Sequence, residues 1–164
     1  MDKKTYIGVK MIEAKPMTRG EYNDYRGWKM PEGEKADDKG YLVCYMPDGY
    51  ESWSPAHVFE KSYLSIKQPD KISVEDVDTF MGELIGTRMD SKTTHVRAEL
   101  VNGFVQHEVS SCVEPENYDH EIGMESATNR IRDRVWMLLG FALQWARNGV
   151  QNNQQVGEAV AHES

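Results

Sequence analysis

TTHVRAELVNGFVQHEVSSC, residues 93–112, is the segment on which the architecture turns. Asn102-Gly103 is a two-residue turn signal, because a tight hairpin needs both central residues at positive φ and these residue types accept it most readily. Closing the hairpin with Val101 opposite Phe104 pairs Arg97 with Glu108 and Glu99 with Gln106. One face then carries Val96, Ala98, Leu100, Val105, His107 and Val109, and that aliphatic face must be covered. The cover is expected from a long helix over residues 117–148, where Ile131, Val135, Leu138, Ala142 and Trp145 recur at helical spacing and Gly149 supplies a stop. Trp136, Leu139, Phe141 and Leu143 widen the apolar surface of that helix beyond what one hairpin hides, which predicts a homo-oligomer.

Upstream, Ser73 and Asp76 have capping-box spacing, with Ile72 and Val77 placed as a hydrophobic staple. They predict a helix running to about Met89, with Phe80, Met81, Leu84 and Ile85 as its buried stripe. Before it, KQPDK at residues 67–71 reads as a linker.

The first half is read from GYLVCYMPDGYESWSP, residues 40–55. Pro47, Asp48 and Gly49 suit a three-residue hairpin loop that closes Met46 on Tyr50 and sets Val43 opposite Trp53. Ser54-Pro55 reads as N-cap and first residue of a short helix to Leu64, with Val58, Phe59 and Tyr63 packing back on the hairpin. Residues 6–14 read as a half-buried strand carrying Ile7, Val9 and Met11, and residues 18–39 as a long surface loop with at most a turn of helix.

The predicted fold class is therefore α+β: a small antiparallel sheet plus one helix in residues 1–66, a linker at 67–72, then helix, β-hairpin and long helix in 73–149. The tail at 150–164 has low hydrophobicity and no period and is expected to be mobile. The chain has 164 residues, 39% hydrophobic and 28% charged, the balance of a water-soluble folded protein. No apolar run approaches a membrane span and the opening segment lacks a signal core, so the expected location is the cytoplasm. A net charge of −8 argues against a long nucleic acid as partner, although a local pocket with a few arginines can still hold a small anion. Cys44 and Cys112 lie far apart outside any C-x-x-C pair and are read as reduced.

No catalytic residues and no cofactor are expected, since neither a G-x-S-x-G elbow nor a Cys with a motif-placed His partner occurs. His57, His95, His107, His120 and His162 are scattered without metal-ligand spacing, so no metal site is expected, and His107 reads as a histidine at the edge of the core. The ligand-binding candidates are Tyr25, Trp28, Tyr50, Trp53, Arg130 and Arg134. With Tyr22 and Tyr41, these aromatics can line a groove where a base stacks. The competing reading of Trp53 is core packing, and of Tyr25 and Trp28 a protein interface. Arg130 and Arg134 share a helix face at i, i+4 and suit a phosphate; the competing reading is a salt-bridged face near Glu125 and Asp133.

The run from Thr93 through the long helix carries N-G-F, S-x-C-V-x-P-x-N-Y-D and E-x-G, followed by W-x-L-x-G-F. In these motifs residues 73–146 resemble the phage family of gene-49-like proteins. That resemblance implies a tailed-phage or prophage origin and the cytoplasm of an infected bacterial host as location, and it carries no assigned activity. GYLVCYMPDGYESWSP and VFEKSY resemble a mobile phage segment found beside small accessory domains, one of which is similar to the Thoeris anti-defence sponges. This implies a non-enzymatic accessory protein that sequesters a small nucleotide immune signal, a cyclic nucleotide or ADP-ribose-type species, without cleaving it; no binding residue carries over. The alternative is an interaction module that inhibits or redirects a host protein.

Overall fold

A computed structural model gives the structure, described over residues 3–151. It is mixed α+β and divides into two compact units, one of residues up to 65 together with those from 145, the other of residues 66–144.

In the first unit β1 (Ile12–Pro16), β2 (Gly40–Tyr45) and β3 (Tyr50–Pro55) form an antiparallel sheet in that order. The expected strand at residues 6–14 is displaced C-terminally. β2 stops at Tyr45, opposite Ile12, so earlier residues have no partner and Tyr6 and Ile7 are exposed. The hairpin also slips by one residue from its expected register. Its loop takes four residues, with Tyr45 opposite Tyr50, so Val43 faces Ser52 and the apolar cross-strand pair is Leu42 with Trp53. Leu42 and Val43 are both buried, so each face of this small sheet is covered.

The loop expected at residues 18–39 contains a helix, α1 (Arg19–Arg26). Thr18 and Glu21 form a complete capping box, a T-x-x-E signal that sequence reading passed over, and Tyr22 and Asn23 point into the core. The helix expected from Ser54-Pro55 is α2 (Ala56–Ser62), but Ser54 and Pro55 belong to β3 and supply no side-chain cap. The Ala56 N–H instead donates to the Lys39 carbonyl at 3.0 Å, so the sheet holds the helix start. Phe59 stacks on Tyr41 with centroids 4.0 Å apart and also meets Tyr63, whereas Val58 is exposed.

In the second unit α3 (Val74–Phe80) opens on the expected Ser73–Asp76 capping box, with Val77 fully buried and Ile72 against the core. It ends far short of Met89. Residues beyond Gly82 form β4 (Glu83–Arg88), which pairs with β5 (Thr93–Glu99), itself paired with β6 (Val105–Ser111). Two glycines and β-branched Ile85 and Thr87 make the segment a poor helix, and pairing satisfies the far edge of β5. Leu84 and Ile85, expected to be buried, are 37% and 44% exposed.

The β5–β6 turn corrects the expected register. Gly103 alone takes positive φ, at 82°, and no non-glycine residue among those described does. A two-residue turn of the predicted kind would need Asn102 there too. The loop is instead three residues: Leu100 N–H donates to the Phe104 carbonyl at 2.9 Å, Gly103 N–H to the Leu100 carbonyl at 2.8 Å, and Asn102 Oδ1 accepts from Phe104 N–H at 3.1 Å. Glu99 therefore faces Val105, Arg97 faces His107, and Val96 faces Glu108. One residue of slip turns β6 over, so Val105, His107 and Val109 leave the core face.

The core face keeps Val96, Ala98 and Leu100, which pack with Val77, Met81, Ala127, Ile131 and Val135. The last three come from α4 (His120–Asn148), the expected long helix, shortened at its start. Pro115–Asn117 forms a separate 3-10 turn, and the Asp119 carboxylate accepts from Glu121 and Ile122 N–H at 2.9 and 3.0 Å. Trp136, Leu138 and Leu139 pack on the core of their own unit, whereas Met137 and Phe141 are exposed. Cys44 and Cys112 are free thiols, each half-buried. The tail from residue 152 lies outside the described residues.

Candidate functional site

The six candidate ligand residues separate into groups. In the first unit Tyr25 is 54% exposed and its hydroxyl donates to Glu51 Oε2 at 2.8 Å, a bond that holds the phenol above its ordinary pKa. Trp28 is 51% exposed, edge-on to Tyr22 at 5.9 Å, with the Arg26 guanidinium 4.8 Å from its ring. Tyr50 is 66% exposed and tilted against Tyr45.

Trp53 is committed to the fold. Its Nε1–H donates to the Met17 carbonyl at 2.9 Å, and the Arg19 guanidinium lies 5.2 Å from its centroid. The ring also packs over Gly40, where a Cβ would come within 2.4 Å of it. It thus serves as a wall, and the wall borders a hollow of about 430 Å³ whose other polar sides are Arg19, Glu34, Asp38, Lys39 and His57. Arg19 is paired to Glu34, with Nη2 to Oε1 at 3.0 Å, while neither Lys39 nor His57 has an ion pair among the described residues. Sequence reading missed these side chains. The Thr18–Glu21 capping box was the available signal, since recognising α1 would have placed Arg19 on an ordered element beside the hairpin.

In the second unit Arg130 and Arg134 clasp β6. Arg134 pairs with the Glu108 carboxylate and donates to the His107 carbonyl at 3.2 Å. Arg130 donates to the Val109 carbonyl and to Ser126 Oγ at 3.1 Å, and lies 3.4 Å from Glu108. Burial pushes the Glu108 carboxyl up, but the Val109 N–H and the two guanidiniums outweigh it and leave the group below the usual carboxylate range. Both arginines are therefore held by protein acceptors, the salt-bridged alternative with Glu108 as the partner.

A smaller hollow of about 120 Å³ lies where α4 begins, among Lys92, Thr94, Ser110, Cys112 and Tyr118. Here the S-x-C-V-x-P-x-N-Y-D segment finds a structural purpose. Tyr118 carries the Arg88 guanidinium 4.1 Å from its ring, and its hydroxyl bonds buried Thr94 Oγ1 and His120 Nδ1, each at 3.1 Å. Asp119 caps the helix with its carboxylate. Among the described residues no group of three or more His, Cys, Asp or Glu is placed to hold a metal, and no helix is long and apolar enough to cross a membrane.

By its fold the chain is a small mixed α+β protein. A family model described as the phage protein (N4 Gp49/phage Sf6 gene 66) family matches residues 57–146, more than half of the chain, and the chain belongs to that family. The match begins within α2, earlier than the motifs alone indicated. No curated protein and no solved structure matches the chain.

Proposed function

We propose that this phage accessory protein binds a small nucleotide signal of host immunity and holds it intact, and that the receptor is the hollow beside Trp53. One observation carries the reading: Lys39 and His57, without ion pairs among the described residues, face the same hollow as the carboxylates of Glu34 and Asp38. The Lys39 ammonium and a His57 ring N–H suit a phosphate, and the carboxylates suit the N–H or hydroxyl donors of a base or ribose. The volume falls within the roughly 300–1,000 Å³ of small-molecule sites. Tyr25, Trp28 and Tyr50, exposed on the same unit, offer aromatic surface against which an overhanging ring can stack. Arg130 and Arg134 are not needed for this receptor, since both are engaged by the Glu108 carboxylate and by carbonyls of β6.

The test mixes purified full-length protein with cyclic di- and trinucleotides and cyclic ADP-ribose species. Thermal shift, followed by recovery of the ligand after heat release, gives the readout. The expected result is a shift with at least one species, intact recovery, and loss of the shift in Lys39→Glu at unchanged apo melting temperature. No shift with any species overturns the reading, and a hydrolysed ligand overturns its non-cleaving part. A host protein that co-purifies with no nucleotide effect replaces it with the interaction-module reading, which the exposed Trp28, Tyr25 and Arg26 also favour as residue types enriched at interface centres.

A further inference from the structure

The register of β5 and β6 brings two imidazoles together on the face of the second sheet opposite its core. His95 Nε2 and His107 Nδ1 lie 2.9 Å apart, with rings 18° from parallel and centroids 5.1 Å apart. They are diagonal neighbours, since His95 faces Val109 and Arg97 faces His107. Thr87 and Ile85 stand opposite His95 and Arg97 on β4. Arg97, which shares this face, is paired with Glu99 at 2.6 Å, and Arg134, which donates to the His107 carbonyl, is paired with Glu108.

We propose that His95 and His107 form a two-imidazole chelate for a divalent late transition-metal ion. Two metal–nitrogen bonds of about 2.0–2.1 Å meeting at 90° to 109° span about 2.9–3.4 Å between nitrogens. The observed separation sits at the right-angled end, the geometry of tetragonal Cu²⁺ or Ni²⁺, and a small opening of the rings suits Zn²⁺. The ion sits to one side of the line joining the two nitrogens, within bonding distance of both, and the hydrogen shared between the rings moves to the far nitrogen of its own ring. His95 binds through Nε2 with its proton on Nδ1, His107 through Nδ1 with its proton on Nε2, and water completes the coordination. A chain of net charge −8 draws cations toward it. The strands supply rigidity, so neither ring has to be gathered from a flexible loop. This site is independent of the hollow beside Trp53, and the two readings stand or fall separately.

Calorimetric titration of the full-length chain with Ni²⁺, and histidine-ring NMR during titration with Zn²⁺, test the proposal. One ion per chain is expected, with the His95 and His107 ring signals moving together while those of His57 and His120 stay in place. His95→Gln and His107→Gln should each lower Ni²⁺ affinity at least tenfold without changing the circular dichroism melt. Equal affinity in the double variant overturns the proposal, as does weakening in only one of the single variants, which means one nitrogen and no chelate. An affinity that disappears on alkylation of Cys44 and Cys112 yet survives in the histidine variants also overturns it.

Discussion

Asp76 is 97% enclosed by its unit, with only 3% of its surface exposed, and yet it is expected to stay ionised. Burial pushes its carboxyl up, but donation from the Ser73 N–H and hydroxyl and from the Lys67 N–H more than offsets this and sets it below its ordinary 3.8. A folded-state value below the unfolded one means that the stabilisation is present above the unfolded pKa. It is lost as pH falls below about 4 through the depressed folded value. Asp76→Ala should cost about 2 kcal/mol in urea denaturation at neutral pH, because it removes the acceptor of two part-buried N–H groups and half of a capping box. Asp76→Asn should flatten the acid-side decline, and an unchanged pH profile in that variant would show that other carboxylates govern it. The Ser73–Asp76 spacing revealed this residue from sequence, whereas its bond to Lys67 required the chain to fold back on itself.

Among the elements, the β5–β6 hairpin shows how much depends on a single turn residue. Gly103 at φ 82° permits a three-residue loop, and that loop sets which side of β6 meets the core. Gly103→Ala should destabilise the protein by about 1–2 kcal/mol, the usual cost of a left-handed position to an L-residue. Amide exchange should rise first at Leu100 and Phe104; uniform protection across the hairpin would contradict the assignment. The slip has a second consequence. Glu108, placed in sequence reading on the polar face against Arg97, turns toward α4 and meets Arg130 and Arg134, while His107 leaves the core edge and meets His95. The chelating pair and the clasp on β6 thus both follow from the loop length.

At the scale of the molecule, the apolar surface of α4 bears on assembly. Trp136, Leu138 and Leu139 are used within their own unit, while Met137 on the same helix is 66% exposed. Self-association through the helix face that exposes Met137 is the prediction, and sedimentation velocity at micromolar concentration should give a species larger than one chain. Met137→Glu should return it to the monomer, and a wild-type monomer under the same conditions removes the idea. The broad plan was legible in the amino acids: an α+β chain, a hairpin at Asn102-Gly103, a capped helix at Ser73 and a long helix whose Ile131 and Val135 close the core. These are local or periodic signals, because capping, turn propensity and helical spacing act between residues a few positions apart. Tertiary structure alone decided the registers, the conversion of residues 83–88 from expected helix to strand, and the meeting of Arg19, Lys39 and His57 around Trp53. Each of these depends on which backbone groups and side chains distant segments offer one another, and that free energy is defined only once those segments are in contact.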